Sequence, residues 1–596
     1  MKNNSSTKTT SRPILIFLIC TLVFNLLTSI TLNAATIPVS SIAALKAAMN
    51  SSKSGDVIVL ADGVYFNTSL TINKNNITIK AATPGDVYLN GSNAITISGN
   101  DVIFSGFQFT SGFPFGSLNK TAITVTGDRV IVTQLNFSGY NASKYINLQG
   151  QYDEIIYCNF EKKPVTSISN SEKGNMIHIA QRDDLTPNYA KISYCSFQNM
   201  PGDGGDYGNE CIRITNHEIA EPVSYQSRTI VEYCYFTNTG LGDAEAISVK
   251  SDNNILRYNT MVDNQTANFC FRYGDDNVAY GNFFINSGGI RIKESNNIHC
   301  YNNYFENSGN GSVSAPIIFA YDNTSVVSHL NYLNIVNNTF VGGSPIKLDS
   351  YSATNNGNVP ITTFTNNTFS NNIFKYATGS IFSGSTTGIS WAGNFRKGTL
   401  GISNPSSGIS NTDPLLELNA EGYYGLSSNS PAINASSTSE LTILDIANID
   451  DDPNLLFDIS GQARVGIKDV GCDELTSGVT TNRPLVLSEV GPSYLGGPSL
   501  SISTNELSGN KNTITIFPNP ASTSFSVETS VTIGELVKVA IYNLNGQLVK
   551  KDSDFQKKSS TSQKNQYDVS DLNNGIYFVK VASESDTRTL KLIIKR

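Results

Sequence analysis

Charge is scarce in this 596-residue chain. Asp, Glu, Lys and Arg make up only 15% of it, against about 25% in ordinary soluble domains. Asn, Ser, Thr and Gly fill the deficit. The 41 basic residues are outnumbered by 49 acids, for a net charge of −8. That balance offers no broad positive field to nucleic acid. A polyanionic substrate would need a local cationic site or a bound metal. No CxxC pair occurs among the eight cysteines, which argues against a zinc or redox centre. Long amphipathic helical stretches are absent. Beyond the N-terminal segment no apolar run is long enough to span a membrane.

The hydrophobic content of 39% and the aromatic content of 10% supply a large core, so disorder over most of the chain is excluded. The N-terminus reads as a secretory signal over residues 1–35. Lys2, Lys8 and Arg12 precede an apolar run from Ile14 to Ile30, and small residues follow at Asn33-Ala34-Ala35. An uncleaved anchor is the alternative. Without Cys20 seven cysteines remain. Three of them share one context, Tyr157-Cys158-Asn159-Phe160, Tyr194-Cys195-Ser196-Phe197 and Tyr233-Cys234-Tyr235-Phe236, which suggests stacked, buried thiols rather than a disulfide framework.

An aromatic or Met anchor recurs at Phe137, Phe160, Phe197, Phe236, Met261, Phe284, Phe305, Phe340 and Phe369. Its shorter intervals run from 21 to 25 residues, a solenoid period. The longer ones read as a coil plus an inserted loop. Between anchors lie short β runs such as Ile155-Ile156-Tyr157 and Thr229-Ile230-Val231, punctuated by Asn and Gly. The pattern predicts an all-β fold, a right-handed parallel β-helix with about three faces, its strands stacking at ~4.8 Å. A β-sandwich is the bland alternative. Residues 41–49 form a helix capped by Ser40 or Ser41, closing the first coil. The stretch from Asn429 to Glu474 reads as the far end of the solenoid, which occupies 36–474. A Ser/Gly/Pro/Thr-rich linker follows at 475–512. A small antiparallel β-sandwich occupies 513–596, with Ile516-Phe517-Pro518-Asn519-Pro520, an Asn545-Gly546 turn and Gly575-Ile576-Tyr577-Phe578. This tail resembles the C-terminal sorting domain of the type IX secretion system of the Bacteroidetes. The resemblance implies export by that machinery, to the medium or the outer-membrane surface. A carbohydrate-binding sandwich is the alternative.

The chemistry concentrates in Gly242 to Thr260. Asp243 and Glu245 stand two apart, so a strand points both carboxylates to one side; with amide oxygens nearby they suit a hard cation such as calcium. A solvated strand face is the commoner explanation of such a pair. Lys250 interrupts an uncharged run and could serve as a base, or could be an outer-face lysine. Its strand parity differs from that of the two acids, so a bend must intervene if all three are to meet. Arg272 lies 22 residues after Lys250 and Arg291 another 19. At one-coil spacing the three form a cationic column. Taken singly, each arginine could be a surface ion pair.

These residues carry a family resemblance. Residues 36–474 look like polysaccharide lyase family six, the alginate lyases and chondroitinase B. The motifs are Ser54-Gly55-Asp56-Val57-Ile58-Val59-Leu60, Asn209-Glu210-Cys211-Ile212-Arg213-Ile214, and Glu245, Ile247-Ser248, Lys250-Ser251, Asn254, Arg257 and Asn259-Thr260. The resemblance implies a secreted enzyme that cleaves alginate by calcium-assisted β-elimination. Lys250 would be the base and Arg272 the acid. Asp243, Glu245 and an upstream amide, best matched by Asn209, would bind Ca2+. Arg213, Arg291, Lys293 and Tyr273 would line the site for an acidic polysaccharide. Three departures stand out: Asp243 replaces a Glu, one extra residue separates Lys250 from Arg272, and Tyr273 replaces a His. The rival readings are a dermatan sulfate lyase, a β-helix glycoside hydrolase and a non-catalytic polysaccharide-binding adhesin.

Overall fold

The computed structural model describes residues 34–595, except 115–119, 165–173, 203–207, 216–224, 242, 265, 310–313, 323–329, 353–363, 406, 438–456, 479, 499–513, 518–520, 530–535, 544–547, 552–554, 557–562 and 583–586. The N-terminal apolar run, the Pro518-Asn519-Pro520 element and the Asn545-Gly546 turn lie outside the described residues.

Short parallel strands stack into a β-helix with three faces. The first face is a 14-stranded sheet running from Thr36–Val39 to Ile389–Ala392. The second and third faces form one 26-stranded set, because the long strand Val87–Ile97 turns the corner and pairs with both. The anchors occupy the second face in register: Phe109, Phe137, Phe160, Phe197, Phe236, Met261, Phe284, Phe305 and Phe340. Many of their rings stack, as Phe160–Phe197 at 5.1 Å and Phe305–Phe340 at 4.7 Å between centroids. The column continues through Phe374, not Phe369. Phe369 belongs to the first face, between Ile335 and Trp391.

An asparagine ladder holds the corner between the first and second faces. The backbone N–H groups of Asn259, Asn282, Asn303, Asn338 and Asn372 each donate to the Oδ1 of the next rung, ending at Asn394, at 2.9–3.1 Å. Their Nδ2 groups donate to carbonyls inside the coil, so buried polar backbone is paired throughout. Cys158, Cys195 and Cys234 fill this corner in the earlier coils. They are free and buried, as the repeat implied; the N–H of Cys234 meets the first ladder asparagine, Asn259, at 3.0 Å. The tyrosines just before them adopt the left-handed conformation, with φ of 53° at Tyr157, 52° at Tyr194 and 51° at Tyr233. Mutual stacking at 5.0 Å supports them there.

Helix α1 (Ile42–Ser51) covers the first coil with Leu45, Ala48 and Met49, and Ser41 caps it by accepting the Ala44 N–H at 3.1 Å. At the other end the stack stops near residue 410. The segment expected to continue it instead doubles back over the second face. Tyr423, Ile459 and Cys472 pack on Phe283 and Tyr304, and the buried Arg464 guanidinium bonds Asn302 Oδ1 at 2.9 Å and pairs with Glu474. Residues 482–497, within the stretch expected as a linker, form a strap. It runs backwards along the solenoid through Asn482 to Gly281, Leu485 to Thr260, Gly491 to Tyr194 and Ser493 to Gln134.

The C-terminal unit is the antiparallel β structure expected. A three-stranded sheet (Ile514–Phe517, Ser524–Thr529, Gln563–Asp568) and a second sheet built on Leu536–Tyr542, Gly575–Ala582 and Thr587–Ile594 share a core of Phe525, Val539, Ile541, Val579 and Leu592.

Candidate active site

Five consecutive third-face strands carry the site: β1 (Asn175–Ile179), β2 (Glu210–Ile214), β3 (Glu245–Val249), β4 (Asn268–Arg272) and β5 (Ile290–Lys293). Ile and Val at alternate positions point inward and fix each strand on the core. The bend demanded by parity is present. Glu245 pairs with Asn268 but Ile247 pairs with Phe269, so Ala246 is the extra residue of a bulge. Past the bulge Ser248 returns to the side of Glu245, and its Oγ donates to Glu245 Oε2 at 2.7 Å.

Val249 pairs with Phe271 and Arg272 with Lys293, so the column is Lys250, Arg272, Lys293. Arg291 falls beside Cys270, one column over. The coil from Arg272 to its true partner is 21 residues rather than 19. Arg291 still joins the site: its Nη1 lies 3.9 Å from Glu245 Oε1, and Arg272 Nη1 lies 3.5 Å from the same atom. Lys250 is buried, its residue only 3% exposed. Its backbone is clamped by its N–H to Ile214 O at 2.9 Å and by the Thr215 hydroxyl donating to its carbonyl at 2.6 Å. The Arg272 guanidinium lies 5.3 Å from the centroid of the Tyr273 ring, and Tyr273 is left-handed at φ 68°.

Glu245 is buried, which alone would raise its pKa. Arg272, Arg291, the Ser248 hydroxyl and Lys250 overcome that and hold it at about 2. Arg272 is raised above its ordinary value: burial opposes the charge, but Glu245 and then Tyr273 favour it. Asp243 goes the other way. Burial, then Glu210 and Glu245, push it well above the carboxylate range.

The sequence reading passed over Glu210. Arg213 grips it with Nε and Nη2, each at 2.7 Å, and Asn175 Nδ2 donates to it as well. The signal was its place three residues before Arg213, the same offset as Glu245 to Ser248. Lys163, buried at the preceding corner, was passed over too. Its Nζ donates to Asn209 Oδ1 at 2.8 Å. Burial, then Lys144, lower its pKa to about 7.

Asn209, Asp243 and Glu245 are oxygen donors of the kind calcium takes, but each of their oxygens already accepts a hydrogen bond or faces a cation. Asn209 Oδ1 accepts from Lys163, and its buried Nδ2 is the atom left without a partner. Asp243 Oδ1 accepts the Glu245 N–H at 2.8 Å and Oδ2 the Gly208 N–H at 2.9 Å. Glu245 has Ser248 on one oxygen and two guanidinium groups facing the other. Among the described residues no three His, Cys, Asp or Glu side chains are grouped to hold a metal. The trio does not fit a calcium site as it stands.

The site is a row of stacked cations on one face of a three-faced parallel β-helix. The Chondroitinase B family model matches residues 39–359, and the chain belongs to that family, polysaccharide lyase family six. A second model, the secretion system C-terminal sorting domain, matches residues 515–595, and marks the chain for secretion and cell-surface attachment. Among solved structures of similar fold is the family 6 alginate lyase AlyGC, with 21% identity over 66% of this chain and 56% of that one, at a TM-score of 0.57. A variant of AlyGC gives 19%, 78% and 60%, with a TM-score of 0.58. The alginate lyase AlyF-OU02 gives 20%, 67% and 92%, with a TM-score of 0.52. The chain thus spans 56% and 60% of the length of the two AlyGC structures. A search of curated proteins returned no match. Among the described residues no helix is long and apolar enough to cross a membrane.

Proposed function

We propose that the β-helix is a lyase that cleaves alginate by β-elimination and leaves 4,5-unsaturated uronate ends. The observation that carries this reading is the juxtaposition of buried Lys250 with Arg272 on the next coil and with Glu245, which all the neighbouring cations hold ionised. The C5 proton of a uronate is weakly acidic because the attached carboxylate is negative. Arg272 and Arg291 stand beyond hydrogen-bond range of Glu245, at 3.5 and 3.9 Å, so their N–H groups can take that carboxylate. Bidentate guanidinium contact neutralises it and stabilises the enolate-like intermediate. The amine form of Lys250 removes the C5 proton, the C4–C5 double bond forms, and the C4–O bond breaks. Arg272 donates a hydrogen bond to the departing oxygen; its raised pKa favours sharing that proton over surrendering it, so the oxygen takes its proton from the Lys250 ammonium or from water. Lys293 extends the lane to the adjoining sugar. Arg213 is committed to Glu210 and acts as a strut as much as a ligand.

A second reading is a dermatan sulfate lyase, favoured by the name of the matching family model. Incubating the full chain with alginate, dermatan sulfate and pectate while following ultraviolet absorbance of unsaturated products separates the two. Reducing ends released without absorbance would mean a hydrolase and would overturn the elimination mechanism. The sorting tail supports the type IX machinery as the export partner.

A further inference from the structure

We propose that this site works without a divalent metal, because Lys163 holds the Asn209 oxygen on itself, turns the Asn209 amide nitrogen to the place a cation's oxygen ligand would take, and leaves Arg272 and Arg291 to receive the uronate carboxylate. The inference rests on the lyase reading above. Its basis is the direction of one hydrogen bond. Lys163 is a donor with no acceptor capacity when charged, so the group it bonds at 2.8 Å is the amide oxygen. The amide nitrogen is then fixed on the far side. It is buried, in a residue only 4% exposed, and has no partner. A buried, unfilled N–H donor is costly, and it would repel a dication.

Asn209 is flanked in sequence by the residues that bond Asp243 and Arg213: Gly208, through its N–H, and Glu210. The shorter Asp243 side chain fits this picture. Its oxygens cap two backbone N–H groups instead of projecting toward a shared ion. The cationic side chains of Arg213, Lys250, Arg272, Arg291 and Lys293 outnumber the acids Glu210, Asp243 and Glu245, so the site attracts a polyanion with no added charge. Lys163 is a positioning residue: it acts through the Asn209 amide.

The test uses the full secreted chain. Metal content is measured by mass spectrometry on protein purified without chelator. Melting temperature is measured with added Ca2+ and with chelator. Turnover on the polyuronate is measured before and after chelation. The expected results are calcium well below one equivalent, no shift of melting temperature in either direction, and unchanged turnover. One equivalent of calcium with a melting temperature that falls on chelation would overturn the proposal. Lys163→Met frees the Asn209 oxygen, and Ca2+ should now raise the melting temperature. Lys163→Gln, which can still donate to that oxygen, should stay indifferent to Ca2+. A Lys163→Met protein as indifferent to Ca2+ as the parent would also overturn it. If no polyuronate is turned over, the lyase reading fails, while metal content and melting temperature still decide the question of the metal.

Discussion

Ser248 donates to Glu245 across 2.7 Å although the two are three residues apart on one strand. In a regular strand they would face opposite sides. The bulge at Ala246 brings them together, and with them the acid end and the lysine end of the site. Deleting Ala246 should restore plain alternation and turn Asp243 and Glu245 away from Lys250. The expected outcome is loss of activity by at least a thousandfold with the β-sheet circular dichroism spectrum retained.

Lys250→Ala should lower kcat by 10² to 10⁴-fold, the usual contribution of a positioned base, with substrate still bound. Arg272→Lys keeps the charge but loses the fork and should fall between wild type and Arg272→Ala. Steady-state kinetics on the preferred polyuronate decide this. Full activity of Lys250→Ala would refute the assigned base.

Glu245 gives the fold an acid-sensitive element. Its folded pKa of about 2 lies below the ordinary 4.5. The stabilisation is complete above 4.5 and is lost as pH falls toward 2. Denaturant midpoints should therefore decline through that window, and Glu245→Gln should flatten the decline. An unchanged pH profile in Glu245→Gln would place the acid sensitivity elsewhere.

The strap makes a separate stability prediction. Gly85 is left-handed at φ 91°, and a Cβ there would run into the Tyr494 ring. Gly85→Ala should lift the strap and lower the melting temperature, and Tyr494→Ala should cost about 2 kcal/mol. The two changes should not be additive, because both release the same contact. Thermal melts of the single and double variants test it.

Much of this was legible because a solenoid repeats its errors and its signals alike. Phe137 to Phe340 could be phased from spacing alone. Phe369 could not: Asn366-Asn367-Thr368-Phe369 and Asn371-Asn372-Ile373-Phe374 show the same motif five residues apart, on neighbouring faces. That Lys250, Arg272 and Glu245 lie together could be expected from coil spacing and the family resemblance, not from strand parity, which the bulge at Ala246 breaks. Arg291 was assigned the wrong column because the coil shortens from 22 residues to 21 without a visible mark, and the 21-residue step from Arg272 ends at Lys293. Glu210 and Lys163 were harder to see because Asn175, which also bonds Glu210, and Asn209, which bonds Lys163, lie 35 and 46 residues away in sequence. The packing of Tyr423, Ile459 and Cys472 on the second face, and of the strap at 482–497, left no periodic trace.

A stack of coils ordinarily unravels from its ends, since each rung touches only its neighbours. Here the final residues of the domain tie rungs near Gly281, Thr260, Tyr194 and Gln134 to one another. Fraying at one end must therefore break bonds in the middle. The strap links coils that are not neighbours, so these coils should melt together rather than rung by rung.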